Sequence, residues 1–349
     1  CDLGGVVGTP ESPAPLTFAD CLTLRDADSV LDGHPNPSVG FPFFDAATGS
    51  LGQGLSVAAG LGCGARVLGS DKRIFCIIGD GESREGQIAE ALDFIVDHKL
   101  TNVIPIFNCN GQGQSDYVSA QQSADGLAKK LDAYNFDVKV IDGHDWEQIF
   151  EALTATPGDK PLAIVARTVK GWGVEELQAR DYHGKPLKAE NVEAACAELD
   201  AKGDGSSDGD ASDLTRPAHI ELPAENEILA DSMAEAFGAA GMGEAYTAGK
   251  LSTRRAYGAA LLALGADERI VALDGDVKNS TFAELFANAQ PDRYFEARIA
   301  EQNMISAGVG LSASGRVPFV STFAKFFVRA YDQIEMASIS GANLKMVGS

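Results

Sequence analysis

Residues 74–82 read Ile-Phe-Cys-Ile-Ile-Gly-Asp-Gly-Glu, an apolar strand pattern that ends in a carboxylate between two glycines. A helical pattern follows over residues 85–98, where apolar side chains recur at helical spacing. In open parallel sheets, ligands bind outside the carboxyl ends of the strands. Glycines there let main-chain N–H groups approach a phosphate, and Asp80 would hold a divalent metal. Gly-Asp-Gly is also good turn chemistry, so the motif alone leaves an ordinary turn as an equal alternative.

Short apolar runs alternate with helical patterns on both sides of this stretch, which is typical of βαβ units. Strands are predicted at residues 74–78, 103–107, 138–141, 162–165, 270–273, 294–299, 317–320 and 344–347. Helices are predicted at residues 85–98, 146–153, 254–264, 301–311 and 326–338. The predicted fold class is α/β, with two open, mainly parallel sheets, helices on both faces of each, and a truncated second unit.

The stretch from Asp200 to Asp213 has five Asp, three Gly and three Ser, with almost nothing to bury. It predicts a solvated linker over residues 200–225, between a first unit at 1–199 and a second at 226–349. The chain begins at Cys1 without a methionine and stops directly after a strand pattern. We therefore expect both units to be incomplete, the first at its N-terminal side and the second at its C-terminal side.

Composition excludes several classes of protein. The chain has 349 residues, and its 50 acidic against 28 basic residues give a net charge of −22, which disfavours nucleic acid and anionic membranes as partners. The most apolar long segment, residues 51–68, contains Gln53, Ser56, Arg66 and five glycines, and therefore fails as a membrane span. The six cysteines lack CxxC spacing, which favours free thiols and a cytoplasmic location.

A second polar strand end strengthens the metal interpretation. The run at 103–107 leads into Asn108-Cys109-Asn110-Gly111-Gln112, which brings amide oxygens beside Asp80 if the two strands are neighbours. Magnesium takes about six oxygens, commonly one or two carboxylates plus substrate phosphates. The absence of a His/Cys cluster from the sequence argues against zinc or iron.

Gly79-Asp80-Gly81 with Asn110 thirty residues later resembles the cofactor motif of thiamine-diphosphate enzymes, and further segments in the same order resemble the transketolases. Those segments are Asp32-Gly33-His34-Pro35, Gly49-Ser50-Leu51-Gly52-Gln53-Gly54, Gly113-Gln114-Ser115-Asp116, Lys170-Gly171, His183-Gly184-Lys185-Pro186-Leu187, Thr253-Arg254-Arg255-Ala256-Tyr257-Gly258, Asp274-Gly275-Asp276-Val277-Lys278-Asn279-Ser280-Thr281-Phe282 and Ile299-Ala300-Glu301-Gln302-Asn303-Met304. The resemblance implies a thiamine-diphosphate-binding fold, with a diphosphate-binding domain at 1–199 and a pyrimidine-binding domain at 226–349.

The resemblance implies thiamine diphosphate and Mg²⁺ as cofactors, with Ca²⁺ or Mn²⁺ as substitutes for the magnesium. It implies side-chain metal ligands at Asp80 and Asn110 and a main-chain carbonyl ligand at Gln112. Asn108 competes with Asn110, which is preferred because it lies three residues before Gly113-Gln114-Ser115-Asp116. Gly111 stands where family members often carry a bulkier residue. The implied contacts to the rest of the cofactor are Ser50, Leu51, Gly81, Glu85, Asn110, Lys170, His183, Glu301, Phe323 and Phe326.

Glu301 has the most specific implied role, as a carboxylate hydrogen-bonded to the aminopyrimidine of the cofactor. Without the resemblance, a Glu at a helix N-terminus is explained by the helix dipole. Phe323 and Phe326 are equally compatible with a core position, and Lys170 with a turn. The implied catalytic residues are Glu301, His183 and His34, and the implied substrate contacts are His34, His183, Arg254 and Ser280. His98, His144 and His219 are predicted to be structural.

The resemblance implies reversible transfer of a two-carbon ketol unit from a ketose phosphate to an aldose phosphate, in the pentose phosphate pathway. It also implies a homodimer with its active sites at the subunit interface. The alternatives are a related enzyme with the same cofactor, either a 1-deoxyxylulose-phosphate synthase or a 2-oxo-acid dehydrogenase component, or a non-catalytic scaffold. Residues 183–186 and 276–282 favour the transketolases, and the joint presence of Asp80, Asn110 and Glu301 disfavours a scaffold.

Overall fold

The computed structural model of the chain describes residues 16–38, 44–203 and 233–349. Its helices are α1 Phe18–Leu22, α2 Gln53–Val67, α3 Gly86–Asp97, α4 Ala124–Ala133, α5 Trp146–Thr154, α6 Val192–Lys202, α7 Met233–Ala239, α8 Gly243–Thr247, α9 Thr253–Leu264, α10 Lys278–Thr281, α11 Glu284–Ala289, α12 Glu301–Ala313 and α13 Tyr331–Ile339. Its strands are β1 Ile74–Gly79, β2 Val103–Cys109, β3 Asp137–Asp142, β4 Leu162–Arg167, β5 Ile270–Asp274, β6 Tyr294–Glu296, β7 Val317–Thr322 and β8 Lys345–Gly348. His219 and most of the predicted linker lie outside the described residues.

The described residues fall into two compact units, which are not contiguous in sequence. The first unit lies within Cys1–Ile74, Gln87–Leu100 and Ala218–Ser349, and the second within Phe75–Gly86 and Thr101–Pro217. Helices α2 and α3 therefore belong to the unit that contains α12 and strands β5 to β8. Each unit contains a sheet, and each is described by itself below.

The second unit is built on a parallel sheet with strand order β1-β2-β4-β3. Strand β4 lies between β2 and β3, with Ile106 opposite Ile164 and Asp137 opposite Leu162. Its first five residues are buried, as expected of a central strand in a sheet covered on both faces. Ile104, Ile164 and Ala152 of α5 form part of one buried cluster. The side chain of Asp145 caps α5 by accepting from the main-chain N–H groups of residues 147 and 148.

The first unit is built on a parallel sheet with strand order β6-β5-β7-β8. All five residues of β5 are buried. Ile270 and Ala272 of β5 pack with Leu261 of α9 and Phe286 of α11 in one hydrophobic cluster. The two parallel four-stranded sheets confirm the predicted fold class, and the described strands match the predicted runs to within a few residues except at β6.

Helices α2 and α12 of the first unit cross in backbone contact. A methyl group built on Gly60 of α2 would lie 2.0 Å from the main-chain oxygen of Ala307, and one on Gly310 of α12 would lie 2.0 Å from that of Val57. Only residues without a side chain allow so close an approach. Gly60, one of the glycines that made residues 51–68 a poor membrane span, therefore serves helix packing.

Two predicted elements were wrong in detail. The strand predicted at 294–299 ends at Glu296, because Arg298 has a left-handed backbone with φ of 56°. One carboxylate oxygen of Glu296 accepts from the main-chain N–H groups of Arg298 and Asp276, which holds this turn. The helix predicted at 326–338 begins as a 3-10 helix over Phe326–Ala330 and becomes α-helical only at Tyr331.

None of the helices within residues 16–38, 44–203 and 233–349 has the length and apolar character needed to cross a membrane.

Candidate functional site

The predicted site residues occur in both units. Asp80, Gly81, Glu85, Asn110, Gln112, Lys170 and His183 lie in the second unit, and His34, Ser50, Leu51, Arg254, Ser280, Glu301, Phe323 and Phe326 lie in the first. Most of them in the second unit, and half of them in the first, follow the carboxyl ends of parallel strands, which is the edge where ligands collect in such sheets.

Asp80 follows β1 directly and is 3% exposed. Its Oδ1 accepts from the main-chain N–H of Gly81 at 2.7 Å, and its Oδ2 accepts from that of Gly111 at 2.6 Å. The main-chain N–H of Asp80 donates to the carbonyl oxygen of Asn108 at 3.2 Å. The carboxylate therefore joins the ends of β1 and β2. Each of its oxygens keeps a further lone pair that can bind a cation.

The loop after β2 begins with an Asx turn, in which Oδ1 of Asn110 accepts from the main-chain N–H of Gln112 at 2.9 Å. Gly111 has a φ of 76°, and this left-handed backbone aims its N–H at Asp80. Glycine adopts that conformation without strain, which gives a physical reason for the small residue at this position. The Gln112 side chain donates to the carbonyl oxygen of Gln178 at 3.1 Å, while its buried Oε1 has no partner among the described residues.

The two asparagines that compete as metal ligand lie in different surroundings. Asp80 and Asn110 both line a cavity of about 360 Å³, which Cys109 and Thr168 also line. Asn108 is not among the lining residues, and its Oδ1 accepts a short hydrogen bond from the Thr168 hydroxyl. The amide of Asn108 thus ties β2 to the residue after β4, whereas Asn110 shares a cavity with Asp80.

This donor set fits a hard divalent cation. It contains the carboxylate of Asp80 and the side-chain amide oxygen of Asn110, and oxygen ligands of this kind are the ones that Mg²⁺ prefers. Gln112, the third predicted ligand, is not among the residues that line this cavity. Burial raises the pKa of the Cys109 thiol to about 12, and the charge of Asp80 adds to the shift, so the thiol stays protonated beside the carboxylate. Within the described part of the chain, no group of three or more His, Cys, Asp and Glu side chains is arranged to hold a metal. A metal at Asp80 would therefore rely on amide, carbonyl and ligand oxygens.

Two other predicted residues flank the Asp80 turn. The buried Gln122 donates through Nε2 to the carbonyl oxygens of Asp80 and Gly81 at 3.0 and 3.1 Å, which fixes the Gly81 backbone. Glu85 is exposed at the end of a 3-10 turn, directly before α3. Gln122 lies 41 residues after Gly81 in the sequence, and no local motif predicts that its side chain supports this turn.

Lys170 and His183 are brought together. The Lys170 Nζ lies 2.7 Å from Nδ1 of His183. If the ammonium donates, His183 accepts at Nδ1 and carries its proton on Nε2. His183 is exposed, and it follows a 3-10 turn over Arg180–Tyr182.

In the first unit, His34 packs against the turn that holds Ser50. A methyl group on Gly49 would lie 2.9 Å from the His34 ring, and both residues line a cavity of about 250 Å³ with Ser50. The Ser50 hydroxyl donates to the Asp332 carboxylate at 2.5 Å. Leu51 is 60% exposed, so this apolar side chain has little cover in the described structure.

Glu301 is the first residue of α12 and is 3% exposed. Its Oε2 accepts from Nη1 of Arg329 at 3.3 Å. Close by, Glu90 of α3 accepts from the main-chain N–H of Asn303 at 2.9 Å. Burial raises the pKa of Glu90, and the negative charge of Glu301 raises it further, against the lowering effects of Asn303 and Arg329. The unit thus holds two interacting carboxylates at the N-terminus of one helix.

Phe323 and Phe326 follow β7 and contact each other, with ring centroids 5.1 Å apart and planes tilted by 50°. Phe326 is 41% exposed, so this aromatic pair is not buried in a hydrophobic core. Exposed aromatic rings at a strand end provide a surface for a planar ligand.

Arg254 and Ser280 lie on two elements near the carboxyl end of β5. Ser280 is in α10, where its N–H donates to the carbonyl oxygen of Val277 at 2.7 Å. Arg254 is the second residue of α9 and is exposed, with its guanidinium 5.9 Å from the Phe282 ring centroid. The guanidinium of Arg255 lies at the same distance from that ring, so this contact does not distinguish the two arginines.

Two residues near the predicted site have no counterpart in the predictions. Glu90 contacts a residue 213 positions away, and Asp332 accepts from both Ser50 and Gln53, about 280 positions away. The buried face of α3 also carries the polar Gln87, so the pattern of this helix does not single out Glu90. Asp332 has no local signal either.

Two family models match the chain. Residues 15–205 match the thiamine diphosphate binding domain of transketolase, and residues 249–349 match the pyrimidine binding domain of transketolase. Among similar proteins, transketolase of Mus musculus is 40% identical over 346 residues, and that of Homo sapiens is 40% identical over 338. Each alignment covers 96% of this chain and 52% of the relative. The chain thus spans about half the length of the curated relatives it matches.

A transketolase-like protein 2 of Homo sapiens is also similar, at 37% identity over 341 residues, covering 96% of this chain and 52% of the relative. Among solved structures, the transketolase of Campylobacter jejuni has a TM-score of 0.74 at 24% identity, covering 96% of this chain and 57% of that one. The transketolase of Leishmania mexicana has a TM-score of 0.68 at 22% identity, covering 96% and 56%. These two structural matches share the fold.

Proposed function

Because the chain belongs to the transketolase family, we propose that its protein transfers a two-carbon ketol unit from a ketose phosphate to an aldose phosphate, using thiamine diphosphate and a divalent metal. The observation that carries this proposal is the position of Asp80 and Asn110 on one cavity at the carboxyl edge of a parallel sheet. We keep the domain bounds predicted from the sequence: residues 1–199 would bind the diphosphate, residues 200–225 would be a linker, and residues 226–349 would bind the pyrimidine.

Asp80 and Asn110 would hold the metal through their side chains, and Gln112 through its main-chain carbonyl, with Mg²⁺ as the proposed ion. The carboxylate is buried and already oriented by the N–H groups of Gly81 and Gly111, so little reorganisation is needed when a cation arrives. Gly81, Glu85 and Lys170 would line the diphosphate side of the site. When bound, thiamine diphosphate supplies the electron sink for carbon–carbon bond cleavage.

Glu301 would hold a hydrogen bond to the aminopyrimidine ring. A carboxylate that is 3% exposed is well suited to this, because burial removes competing water from the bond. The Arg329 guanidinium at 3.3 Å keeps the carboxylate oriented, and Phe323 and Phe326 would flank the ring. Ser50 and Leu51 would lie on the thiazolium side.

The substrate end is proposed at His34, His183, Arg254 and Ser280. Arginine suits a phosphate because its guanidinium can donate two parallel hydrogen bonds. His183 has its Nδ1 beside the Lys170 ammonium, which leaves Nε2 to donate to a substrate oxygen. We also propose a cytoplasmic homodimer with its active sites at the subunit interface.

The test is calorimetric titration of the 349-residue protein with thiamine diphosphate in the presence of Mg²⁺. We expect saturable heat from the wild type and at least tenfold weaker binding by Asp80→Asn, which removes the negative charge. Asp132→Asn is the matched control, since Asp132 is exposed on α4 in the same unit, and it should bind normally. Circular dichroism checks the fold of each variant. Equal affinity of Asp80→Asn and wild type, or no heat from the wild type, would refute the proposed role of Asp80.

A further inference from the structure

A cavity of about 940 Å³ lies at the amino edge of the sheet in the first unit. Its walls include Glu268 and Arg269 directly before β5, residues 291–293 directly before β6, and Arg316 directly before β7. Ser280, Glu301, Phe323 and Phe326, by contrast, follow the carboxyl ends of the same three strands, and none of the proposed cofactor and substrate residues is among those that line the cavity. The cavity is therefore separate from the proposed active site.

Four arginines line this cavity, which we call the arginine cavity, although acidic residues outnumber basic ones 50 to 28 in the whole chain. They are Arg66, Arg269, Arg293 and Arg316. The carboxylates on its wall are Glu268 and Asp292. The wall thus has an excess of positive charge in a protein whose net charge is −22.

The partners of two of these arginines show how the charge is held. Arg269 forms an ion pair with Asp267, at 2.7 Å between Nη2 and Oδ2. Arg293 donates to the carbonyl oxygens of Gly265, Asp267 and Ile270, at 2.5 to 3.0 Å. In the described ranges Arg293 has no carboxylate at ion-pair distance, so its charge is held in place by neutral acceptors.

Arg316 is the most deeply placed of the four, at 5% exposed. It donates through Nη1 to the carbonyl oxygen of Glu268 at 3.2 Å, and its buried Nε has no acceptor among the described residues. Burial lowers the pKa of Arg316, Asp267 and Glu268 raise it, and the neighbouring charges of Arg269 and Arg293 lower it again. A buried guanidinium beside two others, with an unused donor, is an arrangement that an anion would stabilise.

Arg66 completes the wall from the C-terminal end of α2. It is exposed, donates to the carbonyl oxygen of His98 at 2.5 Å, and lies 5.2 Å from the Phe295 ring centroid. His98 is half-buried, and its Nε2 lies 2.8 Å from the carbonyl oxygen of Glu296. An imidazole thus lies on the cavity wall next to the most accessible guanidinium.

We propose that the arginine cavity is a second ligand site, which binds a small organic molecule bearing phosphate. Several guanidinium groups on the wall of one cavity suit a phosphate, whose oxygens point in several directions, better than a planar carboxylate. The cavity volume lies within the usual range of small-molecule sites, and Glu268 and Asp292 can accept from hydroxyl groups of the same ligand. Occupancy of this site does not require the proposed catalytic residues.

The test is a proton NMR titration of the whole chain with inorganic pyrophosphate, without divalent metal and with EDTA present. The chain has five histidines, so the imidazole signals are few, and His98→Gln assigns the signal of interest. We expect the His98 signal to shift in a saturable way. Arg66→Gln, at an exposed position, should weaken binding at least tenfold, while Arg25→Gln, which removes an exposed charge elsewhere, should leave it unchanged.

Two further variants separate this site from the proposed substrate site. Arg316→Lys keeps the charge but loses the guanidinium fork, and it should weaken binding if circular dichroism shows a native fold. Arg254→Gln should have no effect. The proposal is overturned if the His98 signal does not move, if Arg66→Gln binds like the wild type, or if Arg254→Gln abolishes the shift.

Discussion

The backbone contact between α2 and α12 predicts that a larger residue at position 60 destabilises the protein. In Gly60→Ala, the new methyl group would lie 2.0 Å from the main-chain oxygen of Ala307, about 1.4 Å short of the 3.4 Å at which ordinary contact begins. A main-chain oxygen in the middle of a helix cannot rotate away, so the two helices must separate. Forced overpacking of this kind costs about 1–3 kcal/mol.

Alanine also favours the helix by about 1 kcal/mol over glycine, which opposes the clash. We therefore expect Gly60→Ala to lower the free energy of unfolding by about 1–2 kcal/mol, the upper part of the clash range minus the helix gain. Each kcal/mol corresponds to a fall in melting temperature of about 2–4 °C for a large domain. Differential scanning calorimetry of the purified chain measures the shift.

Gly238→Ala is the matched control. Gly238 is also helical, in α7, but it is exposed and a methyl group there would meet nothing within 4 Å. We expect this variant to be as stable as the wild type or more stable, by up to about 1 kcal/mol. If Gly60→Ala melts at or above the wild-type temperature, or if both variants lose stability equally, the close contact of α2 and α12 is not what requires glycine.

Three other outcomes are expected. Asn110→Ala should weaken magnesium-dependent binding of thiamine diphosphate at least tenfold in calorimetry, whereas Asn108→Ala should bind nearly as the wild type does; the reverse order would reassign the ligand. Burial raises the pKa of Glu90 above its ordinary 4.5. At a pH between the unfolded and the folded pKa, the folded chain therefore keeps a proton on Glu90 that the unfolded chain has released. The wild type should therefore lose stability relative to Glu90→Gln as the pH rises from 4.5 to neutral, in urea unfolding curves; a pH-independent difference would contradict this. In assays of donor substrates, the protein containing this chain should consume a ketose phosphate and not pyruvate, and turnover of pyruvate would favour the synthase alternative.

The strand pattern and the polar strand ends were the parts of the fold that the sequence predicted well. Short apolar runs rich in β-branched and aromatic residues are typical of strands buried in a parallel sheet. The predicted ends of β1 to β5 therefore lie within two residues of the observed ends. The neighbourhood of Asp80 and residues 108–112 followed from the same pattern, because parallel strands present their carboxyl ends at one edge. The hydrogen bond from Gly111 to Asp80 links those two strand ends.

What the sequence could not supply were contacts set by tertiary packing. Glu90 and Asn303 meet only because α3 packs near the start of α12, and nothing local to either residue encodes that approach. The shortened β6 depends on the Glu296 carboxylate, which holds a left-handed turn that a pattern of apolar residues cannot reveal. The arginine cavity likewise draws its walls from chain segments up to 250 positions apart.

The membership of α2 and α3 in the unit that contains α12 bears on how the protein could be divided experimentally. Two polypeptides made by cutting the acidic stretch would separate α2 from α12, and each would expose a glycine-lined helix face that the intact chain covers. Such halves should be poorly soluble when expressed singly and should recombine when coexpressed. We therefore expect that the two proposed domains, at residues 1–199 and 226–349, do not fold independently of each other.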